Sequence, residues 1–116
     1  MTTQMTLNLV EGSVRFNFPA EAARKLEAAL AELMASLKAI ATAKAGASSK
    51  PKPEKSLEYQ HTGDVFLEVF CNPNIWPTPF AAKLLITLRD DRIRLTTEAE
   101  LTRVLEDLNQ HLDQIV

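Results

Sequence analysis

A chain of 116 residues fits one domain near the commonest domain size and can bury a core without disulfide or metal support. Charged residues make up 24%, hydrophobic ones 46%, and the net charge is -2, which excludes a disordered composition and any general electrostatic pull toward nucleic acid or anionic membrane. One cysteine, Cys71, allows no intramolecular disulfide, the start Met1-Thr2-Thr3-Gln4 lacks a signal-like pattern, and no apolar run reaches the roughly 18 residues that span a bilayer, so a cytoplasmic location is expected.

Met5, Leu7 and Leu9 alternate with polar residues, as do Val14, Phe16 and Phe18, which predicts two strands flanking a turn at Glu11-Gly12-Ser13. Gly12 supplies the positive φ that a tight hairpin needs. Pro19 suits the edge of a helix, and from Ala20 an alanine-rich run carries Leu26, Leu30, Leu33, Leu37 and Ile40 at helical spacing, with Gly46 as its stop. Residues 45–56, AGASSKPKPEKS, have no apolar anchor and read as a mobile linker inside a single domain spanning 1–116.

Leu57 and Tyr59 begin a further strand, and Thr62-Gly63-Asp64 is a turn signal. Val65 to Cys71 follows as a strand with apolar residues on both faces. The NPNIWPTPF stretch, Asn72 to Phe80, breaks regular structure because its three prolines remove backbone donors. Leu84, Ile86 and Leu88, then Ile93 and Leu95, alternate around an Asp90-Asp91 turn. Thr97 and Glu100 have the spacing of a capping box, which predicts a helix starting there. Its apolar face would hold Leu101, Val104, Leu105, Leu108, Leu112 and Ile115, and its solvated face Arg103, Glu106, Asp107 and Gln110. An offset of 79 lays the first strand–strand–helix unit on the last, either by duplication or by shared architecture. The fold expected is α+β: an antiparallel sheet of six strands in the order ββ-α-ββ-ββ-α with both helices on one face, and Leu9, Ile93, Leu95 and Leu105 among the core residues.

No catalytic or ligand constellation stands out. His61 and His111 belong to no Cys/His/carboxylate cluster with metal-ligand spacing, and His111, three residues after Leu108, reads as a partly buried structural histidine. Cys71 with His61, or with Asp64, is the alternative of a small enzyme of unrecognised type, but no orienting motif accompanies them and a buried strand cysteine is the simpler reading. Asp90-Asp91 and Glu106-Asp107 fall in a turn and on a solvated face, poor places for general acid–base work. With three glycines, phosphate-cradling loops are not expected, and no cofactor is. What remains is Ile75, Trp76 and Phe80 on the proline-stiffened loop, which could present a rigid apolar surface to a protein partner; alternatively Trp76 folds back over the core. A homodimer is also open.

The run LLITLRDDRIRLTTEAELTRVLEDLNQ, preceded by FCNPNIWPTPF, resembles small conserved cyanobacterial proteins, including the assembly factor that binds carboxysome shell proteins. The resemblance covers mainly residues 65–112 and transfers no individual site. It implies a non-catalytic cytoplasmic adaptor whose partner is a shell protein.

Overall fold

Residues 4–46 and 52–115 are described by the structure, a computed structural model. Among them the alternating segments form strands β1 (Gln4–Leu9), β2 (Gly12–Asn17), β3 (Leu57–Thr62), β4 (Phe66–Cys71), β5 (Lys83–Arg89) and β6 (Arg94–Glu100), and the segments with helical spacing form α1 (Ala20–Ala45) and α2 (Leu101–Ile115). The fold is α+β in the expected element order, with every strand pairing antiparallel.

The strands do not join one sheet, as the sequence reading expected. β3, β4, β5 and β6 form a four-stranded meander, and β1 and β2 a separate hairpin. The apolar side of the hairpin, Met5, Leu7 and Phe16, is buried in the common core, and β1 packs chiefly on α2, meeting β6 without ladder hydrogen bonds. Covering the helix buries the hairpin's apolar face; adding a strand to β6 would have left α2 uncovered. Its tip is Val10-Glu11, since Leu9 pairs with Gly12, and Gly12 holds φ 131, a conformation open to glycine.

Further departures from the expected arrangement follow from the packing. The helix after β6 starts at Leu101, because the Thr97–Glu100 segment pairs with β5 through Thr97–Ile86, Ala99–Leu84 and Glu100–Lys83. Ladder bonds and the burial of Ala99 outweigh the capping box, and the Leu101 N–H donates instead to the Ala82 carbonyl at 3.0 Å. The β5–β6 connection runs from Asp90 to Ile93, with the Asp90 carboxylate accepting from the N–H of Arg92 at 2.8 Å and Ile93 at 2.9 Å. Those bonds, Ile93 first, hold the Asp90 carboxyl below its usual range and turn Ile93 out to solvent, 65% exposed, away from the core it was expected to join. Leu9, Leu105 and Leu112 are half-buried against the margin of the core, and Leu95 is half-buried on β6. Of the expected linker, residues 47–51 lie outside the described residues, and Glu54 is bonded through its N–H to Asn74 Oδ1 at 2.7 Å.

Asp107, expected on the solvated helix face, is instead buried. The buried arc of α2 is Leu101, Val104, Asp107, Leu108 and His111. Asp107 takes two hydrogen bonds from one residue of β1: the Asn8 N–H donates to Oδ2 and Asn8 Nδ2 to Oδ1, both at 2.8 Å. Arg103 Nε stands 3.6 Å from Oδ1. One turn on, His111 Nε2 lies 2.8 Å from the Phe18 carbonyl, which can only accept, so Nε2 carries the proton. The fully buried Phe18 ring stacks on His111 at 6.2 Å and meets Phe16 at 5.7 Å and His61 at 5.4 Å edge-on. On the other side of the core the Tyr59 hydroxyl donates to the Ala22 carbonyl at 2.9 Å, joining β3 to α1.

Hydrogen bonds to a charged, buried acceptor contribute about 1.5–3 kcal/mol each, so Asp107→Ala should lower the unfolding free energy by about 2–4 kcal/mol in urea titrations. Adding Asn8→Ala should then cost little more, because its partner is already gone. A loss within about 0.5 kcal/mol, the range of a plain surface change, would contradict the contact. Burial pushes the Tyr59 phenol up to about 12 from an ordinary 10.0. Between those values the unfolded phenol is ionised and the folded one is not, so its stabilisation is complete below pH 10.0 and disappears as pH rises toward 12. As the chain has one tyrosine, near-ultraviolet absorbance should titrate with a single midpoint near 12; a midpoint at 10.0 would contradict the burial.

Candidate functional site

The loop between β4 and β5 is built by short-range hydrogen bonds as much as by proline. Asn72 Oδ1 accepts from the Asn74 N–H at 3.0 Å, closing a single 3₁₀ turn over Pro73–Ile75. Asn74 Nδ2 donates to the Glu54 carbonyl at 2.8 Å and to Asn72 Oδ1 at 2.9 Å, while its Oδ1 accepts the Glu54 N–H. One asparagine therefore stitches the loop to the segment entering β3. Further on, the Ala81 N–H donates to Thr78 O and Oγ1, both at 3.2 Å, so the chain turns before β5 with Phe80 at the bend. The sequence reading missed Asn74; an Asn-Pro-Asn run is a known turn former, but its tie to Glu54 spans 20 residues.

This frame presents the three loop residues differently. Ile75 is 66% and Phe80 81% exposed, whereas Trp76 is half-buried and packs against the core. The Trp76 indole lies beside the Cys71 side chain, where it favours the thiolate. Phe80 forms one wall of an apolar groove of about 530 Å3, closed by Pro79, by Met34, Lys38, Ala41 and Thr42 of α1, and by Thr102 of α2. Among the described residues, Lys38 is the one charged residue lining it. A polar cleft of about 400 Å3 lies between the hairpin and α2, but the buried polar groups there, Asp107 and His111, already spend their bonding on Asn8 and Phe18.

The candidate nucleophile and base are not brought together. Cys71 lies opposite Leu57 and His61 opposite Leu67, four residues further along β3, which puts them about 13 Å apart along the strand. Cys71 is 2% exposed, and burial pushes its thiol pKa up, only partly countered by the neighbouring Trp76 indole. His61 Nε2 is buried with no hydrogen-bond partner among the described residues, and a Cβ at Gly63 would come within 2.7 Å of it. Asp64 is exposed and accepts from Asn17 Nδ2 at 3.0 Å. Among the described residues no group of three His, Cys, Asp or Glu side chains could hold a metal ion, and no helix is long and apolar enough to cross a membrane.

No protein-family model, curated protein or solved structure matches this chain.

Native protein should react with a thiol reagent at least about a hundredfold more slowly than unfolded protein, since a buried thiol meets the reagent only when the fold opens. Equal rates would place Cys71 at the surface. Trp76→Ala should cost about 2 kcal/mol, less than a fully buried tryptophan, and an unchanged thermal midpoint would detach the ring from the core.

Proposed function

We propose that this chain is a non-catalytic protein-binding module that docks a partner protein in the groove between α1 and the Pro79-Phe80 bend. The observation that carries this reading is Phe80, a large aromatic left 81% exposed on a backbone fixed by hydrogen bonds. A rigid aromatic loses little entropy on binding, and the adjoining apolar groove gives a partner side chain somewhere to go. Lys38 at the wall favours a carboxylate beside that side chain. The partner is therefore a protein segment with an apolar anchor flanked by an acidic residue, and neither nucleic acid nor membrane. On the resemblance of residues 65–112, the partner class we propose is a carboxysome shell protein and the role that of an assembly adaptor in the cytoplasm. A buried free thiol with a raised pKa, distant from His61 along β3, gives the enzyme alternative no support.

Phe80→Ala and Met34→Asp separate binding from folding. Phe80→Ala should leave the thermal midpoint within a degree or two, because the ring is exposed, and should weaken the purified partner by about 2 kcal/mol, roughly thirtyfold in calorimetry. Met34→Asp should block the groove in the same assay. A shell protein that binds wild type and both variants equally would refute the groove; shell proteins that bind none of them, beside another partner sensitive to both changes, would refute only the shell assignment.

A further inference from the structure

We propose that the open face of the β3–β6 sheet is a self-association surface whose occupant is a second copy of this chain. Both helices and the hairpin contribute to the core on the other face, where Leu67, Val69, Leu84 and Ile86 are buried. On the open face β4 turns out Phe66, Glu68 and Phe70, all half-buried, and β5 turns out Leu85, 42% exposed. An aromatic and aliphatic strip at the centre of an uncovered sheet is the kind of patch that marks an interface.

The charges around that strip select the occupant. The ladder sets Phe70, Leu85 and Glu98 in one cross-strand row, with Glu58 at its β3 end. Four residues along the strands, a second row holds Phe66, Arg89 and Arg94, with Arg89 lying 4.4 Å over the Phe66 ring. The first row is acidic at both ends, the second basic at one. A two-fold axis in the plane of the face, running across the strands at Thr87, lays the first row of one copy on the second row of the other. Phe70 then meets Phe66, Leu85 meets the aliphatic stem of Arg89 and Glu98 meets Arg94, each contact made twice, as an isologous interface requires. One row further out, Lys83 and Glu100 come opposite the turn that carries Asp91 and Arg92. The arginine side chains are long enough to absorb the crossing of about 30° usual between packed sheets. An axis along the strands would instead oppose Glu58 to Glu98 twice and leave Arg94 opposite Thr62, so the charge pattern favours the first arrangement, in which the like-charge contact is the single one of Glu68 with its own copy.

Two features limit the strength of the dimer. Four short strands span about 20 Å in each direction, so the two copies together bury on the order of 1,000 Å2, at the low end for specific interfaces. Glu68, bonded to Gln60 Nε2 at 2.8 Å, sits on the axis and faces its own copy. The monomer–dimer equilibrium should therefore fall on the order of tens to hundreds of micromolar and weaken with salt.

Sedimentation velocity over a concentration series is the test. Wild-type protein should dimerise in the stated range, and Glu68→Gln should tighten the dimer severalfold by removing the like-charge contact. Glu98→Arg and Arg94→Glu should each weaken it about tenfold or more. Mixing those two single variants should restore a heterodimer, because the arginine introduced in one copy then faces the glutamate introduced in the other, and the native pair remains on the opposite side. Restoration also shows that both variants are folded. A wild-type chain that stays monomeric at millimolar concentration, a dimer indifferent to Glu98→Arg, or single variants that do not complement one another would each overturn the proposal.

Discussion

The Asp107 carboxylate is the point from which the arrangement of the chain follows. A two-stranded hairpin is marginally stable at best in water, and among the described residues β1–β2 has no third strand to complete it. Asn8 hooks it onto α2 through a backbone and a side-chain donor, both directed at Asp107. With β1 so placed, Phe18 at the end of the hairpin is carried to the middle of the core, where its carbonyl meets His111 and its ring meets both histidines. Pro19 then opens α1, and that helix crosses back to β3 through Tyr59 and Ala22. The buried polar groups act as locators for apolar surfaces that would otherwise pack in several ways.

Much of this is legible in the sequence alone. The period of two and the period of 3.6 identify the strands and helices because each reports how one side of an element meets the core. Two kinds of information are not carried by period. One is competition between local and distant bonds: Thr97 and Glu100 satisfy the rule for a helix start, yet their backbones are taken by Ile86 and Lys83 on the neighbouring strand. The other is the partner of a charged residue. Asp107 was assigned to solvent because a carboxylate is seldom buried unpaired, and its pair, Asn8, lies 99 residues away. Its position between Val104 and His111 at helical spacing was a signal for the core face, outweighed by its charge.

The candidate site divides in the same manner. That the NPNIWPTPF stretch would be irregular and stiff follows from proline chemistry. Which aromatic would be free does not, since Trp76 and Phe80 sit in similar local sequence. The half-buried indole lies with Cys71, whereas the bend at Thr78–Ala82 turns Phe80 outward. The molecule thereby offers a groove on its helical layer and an uncovered sheet on the other. A chain that pairs through the sheet would display two grooves, and an adaptor with two grooves binds an array of identical partners more tightly than one groove can.

Amide hydrogen exchange at Asn8 tests the dependence of this architecture on α2 most directly. If Asp107 holds the hairpin to the helix, the Asn8 N–H should exchange only through openings nearly as costly as global unfolding, with protection comparable to the central strands β4 and β5. Fast exchange at Asn8, beside slow exchange in β4 and β5, would mean that the hairpin opens independently, and that the contact with Asp107 does not organise the fold.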